Sequence, residues 1–146
     1  MSDADPHDLA RFVAAQAPIW ADVRAELASA RKQSHWMWFV FPQLRGLGRS
    51  AMAERYGIAS RAEAEAYLAH SLLGARLVEC TGLMLAAPAG TSALAILGAP
   101  DDLKFCSSMT LFAAVAVDPS APFEAALDRF FGGRADRATL ALLGER

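Results

Sequence analysis

At 146 residues the chain has the length of one domain and can bury a core without disulfides or metal. Its hydrophobic fraction of 54%, mostly alanine and leucine, argues for packed helices and against disorder. A formal net charge of −2 excludes a general nucleic-acid coat, which needs a basic surface.

In chain order, the N-terminal MSDADPHDLA is acidic and polar, with none of the charge and apolar pattern of a signal peptide. Asp5-Pro6 reads as a helix start, with Leu9, Phe12, Val13 and Gln16 on one face. Pro18 opens a second helix with Ile19, Val23, Leu27 and Ala30 inward and Asp22, Arg24 and Glu26 in solvent. The stretch from Lys32 to Ser50 concentrates the aromatic residues. Its apolar run from Trp36 to Phe41 is a buried strand or a buried helical turn, which periodicity alone does not separate, and Pro42 ends it.

Gly46 and Gly48 loosen the chain before a short helix from Ser50 to Tyr56, stopped at Gly57. Ser60-Arg61-Ala62-Glu63 matches a capping box opening a helix to about Ala69. A longer helix follows from Ser71, with Leu73, Leu77, Cys80, Met84 and Ala87 inward. Thr91 or Ser92 caps a short helix to Leu97, stopped by Gly98. Pro100-Asp101-Asp102 opens another, with acids near its positive end. Ser120 caps a helix to about Phe131, and Asp136 to Leu143 forms the last.

The expected fold is all-α, a single domain over 1–146 with about eight helices and an ordered core over about 5–143. No window approaches the ~20 apolar residues of a membrane span, so a cytoplasmic protein without a membrane anchor is expected. Cys80 and Cys106 lie in apolar helical patterns and read as core cysteines. His7, His35 and His70 are scattered, so neither a metal nor a cofactor is expected.

Two blocks carry a resemblance. The first runs Arg31-Lys32-x-Ser34-His35-Trp36-Met37-Trp38-Phe39-x-Phe41-Pro42-Gln43-Leu44-x-Gly46-Leu47-Gly48. The second is Gly98-x-Pro100-Asp101-Asp102-Leu103-Lys104, followed by Ser107-Ser108-Met109-Thr110-Leu111-Phe112. Their order and spacing resemble the bacterial domain-of-unknown-function family 1810, whose members often carry a calpastatin-like label. The resemblance extends from about Leu9 to Leu143 and implies a compact multi-helical fold, but no activity. The label itself is discounted: calpastatin is a disordered repeat protein, and this chain is apolar and compact by composition. The family commonly has Leu-Arg where this chain has Phe105-Cys106, so any role of that arginine is absent here.

Several residues are candidates for chemistry. The Arg45-Gly46-Leu47-Gly48-Arg49-Ser50 turn is either an anion site at a helix start or a flexible turn with two solvated arginines. His35 is a candidate general base or a packed, hydrogen-bonded histidine, and Ser34 beside it is a candidate ligand contact. Trp36 and Trp38 are either stacking surfaces or core. Asp101, Lys104 and Ser108 share one helical face, able to meet His35 and Gln43 across a cleft, or forming only a surface ion pair with back-bonded serines.

Two classes follow. In the first, the 32–50 and 98–112 segments build a pocket for a small anionic or nucleotide-like ligand, with hydrolysis or group transfer as the chemistry. Lys32, Arg49 and Lys104 supply positive charge there, Trp38 stacking, Gln43, Ser34, Asp101 and Ser108 polar contacts, and His35 proton transfer. The second is a non-catalytic helical module that binds a protein partner through an exposed apolar patch.

Overall fold

The computed structural model describes residues 4–144. Among them the order is α1 (Ala10–Gln16), a 3₁₀ turn (Ala17–Ile19), α2 (Trp20–Ala28), α3 (Met37–Val40), α4 (Ala51–Tyr56), α5 (Arg61–Ala69), α6 (Leu73–Leu85), α7 (Ala93–Leu97), α8 (Asp101–Val115), α9 (Phe123–Phe131) and α10 (Arg137–Gly144). The fold is all-helical, as expected. No described helix is long and apolar enough to cross a membrane.

The helix starts follow local capping chemistry. Ser50, Ser60 and Ser92 each accept the amide N–H of the residue three positions on, at 3.0–3.1 Å. Glu63 completes its box by accepting the Ala59 N–H at 3.1 Å. Two expected starts are displaced. Asp5 caps α1 by accepting the Leu9 and Ala10 amides, but the helix begins at Ala10 rather than at Pro6. Ser120 donates its hydroxyl to Asp118 instead of capping α9, which begins at Phe123.

Helix α8 is the centre of the molecule. It packs against α5, α7, α9 and α10, and its buried residues include Phe105, Ser108, Met109, Leu111, Phe112 and Val115. A helix covered on most sides has no single apolar stripe. Phe105 stacks edge-on with Phe41 at 4.9 Å between ring centres, which ties the aromatic run to α8.

The run itself resolves as a helical turn, α3, after which Phe41 turns towards extended geometry before Pro42. Trp36 is buried in the core and Trp38 half-buried. An isolated bridge then pairs Leu44 with Ile58. The Arg45 N–H donates to Ile58 O at 2.8 Å and the Ile58 N–H to Gln43 O at 2.9 Å. That contact explains Gly57, because a Cβ there would lie 2.7 Å from both Ala53 O and Arg45 Cα. Its φ of −66° is ordinary, so close approach, not a left-handed stop, is what requires glycine.

Candidate functional site

The site is built where the Lys32–Gln43 segment meets the first turn of α8. Its organiser is Glu26, in the last turn of α2. The carboxylate accepts the Gln33 N–H at 2.7 Å, the Ser34 N–H at 2.9 Å, the Ser34 hydroxyl at 2.6 Å and the Trp36 indole N–H at 3.0 Å. Burial pushes this carboxyl upward, but the donors from Ser34, Gln33 and Trp36 outweigh it and hold its pKa at about 2. Glu26 is thus not the solvated position its helical register suggests. A carboxylate reaching backbone amides seven and eight residues later leaves no periodic trace in the sequence.

With the turn fixed, the Lys32 N–H donates to Ile96 O at 2.8 Å and pins the segment to α7. The Lys32 side chain, only 6% exposed, pairs with Asp101 Oδ2 at 2.9 Å. Its ammonium also donates to Ser34 O and lies 5.0 Å from the centre of the Trp36 ring. The other Asp101 oxygen, Oδ1, is 3.9 Å from Lys104 Nζ, which lies 5.1 Å over the Trp38 ring. Trp38, Gln43, Met52, Tyr56 and Lys104 line a recess of about 10 Å³, room for one water-sized group.

Lys32, Asp101, Lys104, Trp38 and Gln43 therefore form one continuous row. Two ammonium groups share one carboxylate along it. Lys32 is spent on buried partners, whereas Lys104 is 26% exposed and loosely paired, so Lys104 is the cation of the row that is open to an anion.

Of the remaining candidates, Ser34 touches the row through its carbonyl, which accepts from the Lys32 ammonium. His35 and Arg49 are exposed. Arg49 follows Gly48, whose added Cβ would meet Ala53 Cβ at 2.8 Å and Gln43 Nε2 at 3.5 Å, so it starts one residue from the recess. Ser34 is held by Glu26. Ser108 is fully buried, and its hydroxyl has no hydrogen-bond partner among the described residues.

In the glycine turn, groups that an anion site at the helix start would use are already engaged. Helix α4 has six residues, its Ala53 amide is taken by Ser50, and Arg45 is bonded to the carbonyls of Glu54 and Gly57. Of the two cysteines, Cys80 is buried in the core but Cys106 is half-buried, with its thiol near Arg134 O. Among the described residues no cluster of three or more metal-ligating side chains occurs.

A family model described as "Protein of unknown function (DUF1810)" matches residues 6–143. The chain belongs to this family. A solved structure, that of the conserved hypothetical protein Rv1873 from Mycobacterium tuberculosis, is 58% identical to the chain. The match covers 96% of this chain and 99% of that one, with a TM-score of 0.92. No functionally curated protein matches. The DUF1810 relationship confirms the family read from the two sequence blocks and, like them, carries no activity with it.

Proposed function

We propose that the chain binds a small anionic, nucleotide-like ligand against the Trp38–Lys104–Gln43 face. The observation that carries the reading is the sharing of Asp101 between Lys32 and Lys104, with the outer ammonium 5.1 Å from the centre of the half-buried Trp38 ring. An anion meets the Lys104 ammonium there, the cation of the row that is not enclosed by buried partners. A planar ring meets Trp38, and Gln43 supplies an amide that both donates and accepts. Because the recess holds only a water-sized group, the ligand lies across the face with its anionic end at Lys104. Arg49, exposed beyond Gly48, supplies further charge on the approach. Hydrolysis or group transfer is the chemistry to assay on any ligand found, with His35 as the proton-transfer group.

The test is a thermal-shift and calorimetric screen of mononucleotides, sugar phosphates and carboxylates. A ligand at 100 times its Kd stabilises by about 2.7 kcal/mol. The stabilisation should be lost in Lys104→Met and reduced in Trp38→Leu. A hit indifferent to both substitutions, or no hit from any anion, refutes the reading. His35→Ala should abolish turnover of a hit while sparing its binding.

A second reading, a protein-interaction module, is favoured by a separate apolar groove between α5 and α6.

A further inference from the structure

The groove has a volume of about 610 Å³ and shares no residue with the Lys104 row. It runs between α5 and the first half of α6 and is closed by the chain from the end of α8 to the start of α9. Leu68, Ala75, Val78, Val117 and Phe123 give it an apolar lining. Val117 is 96% exposed and Val78 44%, so this apolar surface is presented to solvent. The volume falls in the ~300–1,000 Å³ range of binding clefts.

The floor is low because the helices approach closely. A Cβ on Gly74 would lie 2.1 Å from Leu68 O, and the neighbouring lining positions Ala69, Ala75 and Ala116 are small. The chain leaves α8 in extended geometry at Ala116 and runs to Asp118 without regular structure.

Charge selects the occupant. The ionisable side chains lining the groove are Glu65 and Asp118, both carboxylates and both exposed. The Ser120 amide and hydroxyl both donate to Asp118, at 2.9 and 2.7 Å, and fix its carboxylate at the rim. Arg61, one turn before Glu65, donates to Ala114 O. A second copy seated groove to groove would oppose carboxylate to carboxylate. A basic partner meets complementary charge.

We propose that this groove seats a short aliphatic segment of a protein partner flanked by lysine or arginine. Its apolar side chains lie between α5 and α6, and its cations meet Glu65 and Asp118.

The experiment is fluorescence anisotropy with the full chain and a labelled peptide, Lys-Lys-Leu-Val-Leu-Lys-Lys, against the same peptide with Glu for every Lys. The lysine peptide should bind saturably and roughly tenfold more tightly than the glutamate one, a difference of about 1.4 kcal/mol. Ala75→Trp, at an exposed position, should fill the groove and remove binding. Glu65→Lys combined with Asp118→Asn should erase the preference while leaving a residual apolar affinity. Circular dichroism on each variant establishes that the helices are retained.

Equal affinity for the two peptides, or binding unchanged by Ala75→Trp, overturns the proposal. So does saturable binding of dodecanoate where neither peptide binds, which marks a small-amphiphile site. A dimer in sedimentation that Ala75→Trp dissociates also overturns it, since the groove would then belong to a second copy.

Discussion

Replacing Glu26 by Gln removes the charge on which the 33–36 turn is built while keeping the side chain's size. In the native protein one carboxylate receives two amides, a hydroxyl and an indole N–H. Its pKa drops from 4.5 to about 2. At about 1.36 kcal/mol per pH unit that drop has a ceiling of about 3.4 kcal/mol. Partial exposure to solvent screens it, leaving roughly 1–2 kcal/mol.

The sign follows from the direction. A depressed carboxyl contributes its full stability above the unfolded-state pKa and loses it as pH falls towards the folded one. Wild type should therefore lose this increment between about pH 4.5 and 2. Glu26→Gln should be less stable at pH 7 by roughly 1–2 kcal/mol, or about 3–8 °C in Tm. Across the acid window its stability should fall less steeply than that of wild type. Urea titrations at pH 7, 4.5, 3.5 and 2.5 measure both effects. Equal stability at pH 7 together with parallel acid curves refutes the role assigned to Glu26.

Asp101→Ala leaves the buried Lys32 ammonium without its counter-charge and should cost about 3 kcal/mol in urea unfolding, most of it recovered in Lys32→Met/Asp101→Leu. Gly74→Ala drives a Cβ onto Leu68 O and should cost about 1–3 kcal/mol in the same assay; a neutral result would mean that α5 and α6 separate freely. Burial pushes the Cys80 thiol up to about 12, and burial followed by the Asp136 charge raises Cys106. Folded protein at pH 8 should therefore take up iodoacetamide at Cys106 alone, and more slowly than the unfolded chain. Peptide mapping that finds label on Cys80 would contradict this.

The parts of this fold that are local in sequence were the legible ones. Ser50, Ser60 and Ser92 announce their helices because the acceptor and the amide it satisfies lie three residues apart. The all-α class follows from the same signals. Long-range polar contacts left no such mark. Glu26 sits at a register shared by any solvated glutamate, and only the returning chain at 33–36 gives it partners. Ser120 carries the right chemistry for a cap but lies beside Asp118, which takes its hydroxyl first.

Within the candidate site, the 3-residue spacing places Asp101 and Lys104 together on α8. That Lys32 would enter their pair depends on its amide being pinned to Ile96, which no spacing encodes. Trp36 and Trp38 divided between core and surface once the run proved helical, a choice periodicity left open.

Two helices end where distant arginines tell them to. The last carbonyls of α4 are taken by Arg45 and by Arg11, whose guanidinium donates to Arg55 O and Gly57 O while pairing with Glu63 at 2.7 Å. Those at the end of α6, Leu85 O, Ala87 O and Pro88 O, are taken by Arg129. The local stop, in α6 the Ala86 and Ala87 amides on Gly82 O and Met84 O with Pro88 beyond, is supplemented by a fork of N–H donors that arrives only when the chain is folded. Excised as peptides, α4 and α6 would keep their local turns but lose these donors to their last carbonyls. Secondary structure in this molecule is thus partly a product of tertiary assembly, and loss of one guanidinium should fray a helix forty or more residues away along the chain.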